Sequence, residues 1–163
     1  MVATSLLAVV LAGVLAAYLF VGRNLTRLVN VQHQEVESRR TLRTFTQDLS
    51  SAIQLSTATT TVLTLTKPAA GGGTVTVTYT YSSVDGTLVR TEAGANNTLL
   101  SGLTTFTITY YNEAGTIVTS SPQSVKAVEF AFASSSGSAA SGTRASYTTV
   151  SPRVLLRNKP ALL

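Results

Sequence analysis

Few side chains in this chain are equipped for chemistry. His33 is the only histidine and there is no cysteine. His33 lies in a polar stretch with no suitable serine and aspartate beside it. It reads as a solvated residue, and Ser-His-Asp catalysis is not expected. Seven carboxylates are present: Glu35, Glu37, Asp48, Asp85, Glu92, Glu113 and Glu129. Glu35 and Glu37 are two apart and point to different sides of a helix, and Asp85 precedes Gly86 in a turn signal. No loop holds the two or more carboxylates that a calcium site would use. Gly71-Gly72-Gly73 lacks the Gly-Lys-Ser/Thr ending of a phosphate loop and precedes a strand pattern, so it reads as a flexible turn. Tyr79, Tyr81, Tyr110 and Tyr111 suggest either sheet packing or a sugar platform. The outward-facing member of the Tyr110–Tyr111 pair is the better platform candidate. The inventory predicts a protein that is not an enzyme, with no metal site and no cofactor.

Composition narrows the classes further. Without cysteine there are no disulfides, no thiol chemistry and no Cys-based metal site. The formal net charge is +5, but Arg23, Arg27, Arg39, Arg40 and Arg43 sit on one helical segment and the remaining cations are scattered. A nucleic-acid face would cluster Lys and Arg with interleaved aromatics, so no nucleic-acid partner is expected.

The elements that must position these residues begin with residues 1–22, MVATSLLAVVLAGVLAAYLFVG, which carry no charge. At about 1.5 Å per residue a helix of this length spans roughly 33 Å, enough for the hydrocarbon core of a bilayer. Its apolar surface is supplied chiefly by Val2, Leu6, Leu7, Val9, Val10, Leu11, Val14, Leu15, Leu19 and Phe20. A cleaved secretory signal would want a basic start, a shorter apolar core and a small-x-small site, and a buried helix of this purity would need a larger protein around it. The expectation is a single-pass anchor. The positive-inside rule places the Arg23 and Arg27 side in the cytoplasm, so a head on the far side means either that the rule fails here or that basic residues belong ahead of Met1.

The helical pattern continues as an amphipathic stalk over residues 23–57, giving one nearly continuous helix from about residue 2 to 57. Leu42, Phe45, Leu49 and Ile53 form a stripe expected to pack on the head. Residues 30–40, where the stripe thins, are expected to be exposed stalk. Residues 58–163 read as an antiparallel β head. Residues 59–66 are β-branched, and 74–81 alternate strictly, with Val75, Val77, Tyr79 and Tyr81 on one side. Asp85-Gly86 turns the chain into a return strand over 87–92. Further strands are expected at 104–111, 116–119, 125–133, 143–150 and 153–157, with Ser134 to Gly142 as a flexible loop. The fold class is α+β, a long N-terminal helix with a membrane-spanning half and an amphipathic half packed on an antiparallel sheet.

MVATSLLAVVLAGVLAAYLF at 1–20 resembles the N-terminal helix of type IV pilins and type II secretion pseudopilins. RTLRTFTQDLSSAIQL at 40–55 resembles the stalk of J-type minor pseudopilins and the related W-type minor pilins. VTYTYSSVDGTLVRTE at 77–92, LLSGLTTFTITYYNEAG at 99–115, VKAVEFAFA at 125–133 and VLLRN at 154–158 are similar to that family's strand order. The family's leader, Gly cleavage site, methylated Phe and pairing Glu would lie ahead of Met1, and the expectation is that the chain begins after them. The resemblance implies a non-enzymatic minor pseudopilin or minor pilin that helps initiate or cap a type II secretion pseudopilus or type IV pilus. The implied partners are other minor and major subunits and inner-membrane lipid. The implied location is the bacterial inner membrane with the head in the periplasm. The alternative is an anchored adhesin or glycan-binding module, favoured by a cluster of exposed aromatics.

Overall fold

A computed structural model describes residues 2–119, 121–137 and 143–159, with side chains described from Leu7 onward. One helix, α1 (Val2–Ser51), leads into nine strands: β1 (Gln54–Ala58), β2 (Val62–Pro68), β3 (Thr74–Ser82), β4 (Thr87–Glu92), β5 (Ala95–Leu100), β6 (Leu103–Tyr111), β7 (Ala127–Ser136), β8 (Ala145–Val150) and β9 (Val154–Leu155). The class is α+β, with the helix packed on antiparallel sheets.

The head holds two sheets. The first runs β1-β2-β3-β4-β5 in sequence order, all antiparallel. In the second, β7 is central, with β6 on one side and β8 and β9 pairing along the other. The two join at a turn. Ser82 Oγ donates to the Asp85 carboxylate at 2.8 Å, Gly86 takes a positive φ of 59°, and the Leu103 N–H donates to the Gly86 carbonyl at 2.8 Å. A Cβ on Gly86 would stand 2.7 Å from the Leu103 carbonyl oxygen. Only glycine fits in this β3–β4 turn, against which the start of β6 is held.

α1 ends at Ser51, short of the expected residue 57. The Ser50 hydroxyl donates to the Gln47 carbonyl, and that of Ser51 donates to Gln47 and Asp48. These hydroxyls bond back onto carbonyls of the last turn, the pattern by which Ser competes with helical backbone bonds. The Ile53 N–H then donates to the Thr66 carbonyl at 2.9 Å, and β1 begins at Gln54. Extended backbone carries Leu55 into the core, whereas Ile53 is only half-buried.

Three other segments differ from expectation. Ala93 (φ 49°) and Gly94 (φ 82°) make a tight two-residue turn between Glu92 and Ala95, and β5 follows where no strand was expected. Residues 116–119 form a single bridge, Ile117 to Tyr111, instead of a strand. The expected Ser134–Gly142 loop starts late, because β7 continues to Ser136; residues 138–142 lie outside the described residues.

The core is one cluster shared by the helix and both sheets. Phe45 sits at its centre, with ring centroids 5.2 Å from Tyr79 on the first sheet and 4.3 Å from Phe130 on the second, both edge-on. Such pairs add about 0.5–1.5 kcal/mol beyond their buried area. Leu49 and Ala52 complete the helix side, with Leu63, Leu65, Val77, Val128 and Phe132 opposite.

Candidate functional site

α1 falls into two parts. From Leu7 to Val29 its side chains are exposed, including Leu7, Val9, Val10, Leu11, Val14, Leu15, Leu19 and Phe20. None of this stretch packs into the protein, and it is long and apolar enough to cross a membrane. Val2 and Leu6 belong to the same helix backbone, and their side chains lie outside the described residues. Leu25, Leu28 and Val29 extend the exposed apolar surface past Arg23.

From Asn30 upward the helix belongs to the head. Gln34, Ser38, Thr41, Phe45, Asp48, Leu49 and Ala52 are buried, at steps of 4, 3, 4, 3, 1 and 3. That is one helix face. Leu42 is half-buried against the same core. The head therefore reaches lower than expected, and residues 30–40 are not an exposed stalk. Polar residues make this contact: Asn30 Nδ2 donates to the Thr143 carbonyl at 3.3 Å and Thr41 Oγ1 to the Leu99 carbonyl at 3.2 Å. A search for apolar periodicity passes over such a face, because its residues are Asn, Gln, Ser and Thr.

The main electrostatic feature joins the helix to the first sheet. Asp48 on α1 accepts from Lys67 Nζ on β2 (2.7 Å), Tyr79 OH on β3 (2.6 Å) and Arg90 Nε on β4 (2.7 Å). Glu92 on β4 accepts from the same two cations, Lys67 at 2.9 Å and Arg90 at 2.7 Å. The side chains of Asp48, Lys67 and Arg90 are 4%, 16% and 12% exposed. Burial by itself would raise the Asp48 carboxyl, but hydrogen bonds from Arg90, Lys67 and Tyr79 outweigh it and hold the group below its ordinary value. Hydrogen bonds from Lys67 and Arg90 lower Glu92 likewise. Burial and then the Asp48 charge push the Tyr79 hydroxyl up, so it remains a donor. The two carboxylates lie 44 positions apart in sequence and meet only through shared cations. All four charges are satisfied by one another, an arrangement suited to fixing the helix against the sheet.

The other singled-out residues are accounted for. His33 is exposed, with Nδ1 3.5 Å from Glu37 Oε1, and Glu35 pairs with Arg39 at 2.6 Å. Tyr110 is buried and donates to the Thr59 carbonyl at 2.6 Å. Tyr111 is buried too, covered by the Arg153 guanidinium 3.9 Å above its ring; Arg153 also donates to Glu129 at 3.2 Å. Neither tyrosine is the outward platform considered above, because a cation from the β8–β9 connection lies on the ring that faces out. Lys159 ties down the chain's end by donating to the carbonyls of Pro122, Gln123 and Val125 at 2.6, 2.6 and 2.8 Å. Burial and then Lys126 push its ammonium down to about 8, while the three carbonyls favour the charged form at neutral pH.

No protein-family model matches the chain, and no curated protein matches it. A long apolar N-terminal helix whose upper half packs on antiparallel sheets is compatible with a pilin-like fold.

Proposed function

We propose that the protein is a non-enzymatic structural subunit, a minor pseudopilin or minor pilin, that helps initiate or cap a type II secretion pseudopilus or type IV pilus. One observation carries this reading: a single helix is bare over Leu7–Val29, and apolar there up to Gly22, yet locked into the head from Asn30 to its end at Ser51. A surface of that kind is compatible with lipid before assembly and with other apolar helices after it. The head stays outside the bilayer, in the periplasm of a bacterial cell, and the partners are other minor and major subunits. Tyr110 and Tyr111 are buried and so lend no support to the glycan-binding alternative.

The test is complementation with the full chain carrying Val10→Asp. A central Asp costs about 2.5–3.5 kcal/mol for membrane insertion and would be buried unpaired among neighbouring helices. Expected results are loss from the membrane fraction together with loss of filaments or of reporter secretion. Normal filaments and secretion with the protein absent from the membrane would overturn the reading.

A further inference from the structure

Beneath the head the structure gathers arginines that no acid neutralises among the described residues. The helix face under the head runs through Thr41, Ser38 and Gln34. Continued downward in steps of three and four, it passes Asn30 and reaches Arg27 and then Arg23. Both arginines therefore lie on the head side of α1, below the lowest head contact among the described residues. That contact is the bond from Asn30 to the Thr143 carbonyl, and the next residue, Arg144, is exposed at the lower end of β8. Among the described residues, none of Arg23, Arg27 and Arg144 forms an ion pair. The nearest acids up the helix, Glu35 and Glu37, face Arg39 and His33.

The level of this charge along the helix is informative. Tyr18 and Phe20, 76% and 68% exposed, lie about one turn below Arg23. Aromatic side chains at the end of an apolar span mark a membrane–water interface. Arg23 and Arg27 are separated by about 6 Å along the axis at 1.5 Å per residue. The headgroup layer of one leaflet is roughly 5–8 Å thick, half the difference between the full bilayer and its hydrocarbon core. With Phe20 at the boundary, Arg23 stands about 4.5 Å above it, within the layer of lipid phosphates, and Arg27 about 10.5 Å above it, just past that layer, with a side chain long enough to reach back into it; Arg144 is higher again, beside the Asn30 contact.

We propose that Arg23, Arg27 and Arg144 form a docking face for the anionic headgroups of the leaflet beneath the head, so that the protein selects anionic lipid and the head is held down on the membrane surface. The inference rests on the membrane reading given above. Each basic residue near an anionic surface contributes about fivefold in binding, so three acting together give roughly 100-fold.

The experiment uses the full chain in neutral detergent, titrated with phosphatidylglycerol or phosphatidylcholine and read by native mass spectrometry. It is accompanied by flotation with vesicles of each composition. The comparison variant is Arg23→Gln/Arg27→Gln/Arg144→Gln, whose melting should match the wild type because all three sites are exposed. Wild type should retain phosphatidylglycerol far above phosphatidylcholine, should lose that preference in high salt, and should not release the lipid to inorganic phosphate. The variant should lose the preference while still floating with vesicles. Equal retention of the two lipids by wild type, undiminished preference in the variant, or full displacement by inorganic phosphate would overturn the proposal and leave the membrane reading intact. Failure of wild type to float with either vesicle would remove the membrane reading and this inference together.

Discussion

Replacing Asp48 with Asn tests whether the charge cluster is what fixes the helix on the head. The substitution keeps the size of the side chain and removes its charge. Lys67 and Arg90 then remain within the joint, with Glu92 as their only anion, and the Tyr79 hydroxyl loses its ionised acceptor. Breaking a buried pair by removing one partner costs about 3–5 kcal/mol, because a desolvated charge is left uncompensated. Glu92 still bonds both cations here, so the lower end, about 3 kcal/mol, is expected. Glu92 is 33% exposed, and water can replace part of its role. Glu92→Gln should therefore cost less, on the order of 1 kcal/mol. Urea unfolding of the full chain in detergent, followed by tyrosine fluorescence, which five of the six tyrosines report from the head, measures both. The pH profile supplies a second readout. The folded pKa values of Asp48 and Glu92 lie below their unfolded values, so their contribution is present above the unfolded carboxylate range. It is lost as pH falls through the folded values. Wild type should show this acid loss strongly and Asp48→Asn should show much less of it. A stability change under about 0.5 kcal/mol for Asp48→Asn, of the size seen for ordinary surface substitutions, would refute the reasoning. So would an acid profile identical to wild type.

Leu49→Ala should cost about 2–5 kcal/mol in the same unfolding assay, because Leu49 is fully buried between the helix and the sheets. Gly86→Ala should cost about 1–3 kcal/mol, since the added Cβ meets the Leu103 carbonyl and the φ is positive. Hydrogen exchange should then rise at the Leu103 amide. Phe45→Leu should lose the ring contacts to Tyr79 and Phe130 together and cost on the order of 1–2 kcal/mol. Altered near-ultraviolet circular dichroism should report loosening of both sheets, and an unchanged spectrum would argue against a core shared by the two.

Local patterns were enough to read most of the secondary structure. An unbroken apolar run can only be a helix or a buried strand, and at this length it is a helix. Strict alternation over 74–81 places Val77 and Tyr79 inward, and Asp85-Gly86 turns the chain, because these are short-range rules of backbone geometry. The end of α1 was harder to read. Ser50 and Ser51 can sit within or terminate a helix, and the choice is made by Thr66, which accepts from Ile53 and draws the next residues into a strand. β5 was missed for a related reason: Ala93-Gly94 is a weak turn signal, and pairing with β4 is what makes the strand.

The joint between helix and head was the least legible part. Asn30, Gln34, Ser38 and Thr41 look like solvent-facing stalk in one dimension, and only the packed head shows that they are covered. Asp48, Lys67, Arg90 and Glu92 are four isolated charges in the sequence. They become one cluster because the register of β2, β3 and β4 brings Lys67, Tyr79 and Arg90 beneath a single turn of the helix. The split into two sheets is likewise a tertiary outcome: the chain leaves the first sheet after β5 and begins the second at Leu103, whose N–H bonds back to the Gly86 carbonyl in the β3–β4 turn. The sequence by itself determined an apolar N-terminal helix and a β-forming remainder, because periodicity and hydrophobicity are local properties. The tertiary structure alone decided where the head grips that helix and which charges pair, because both depend on contacts between residues far apart in the chain.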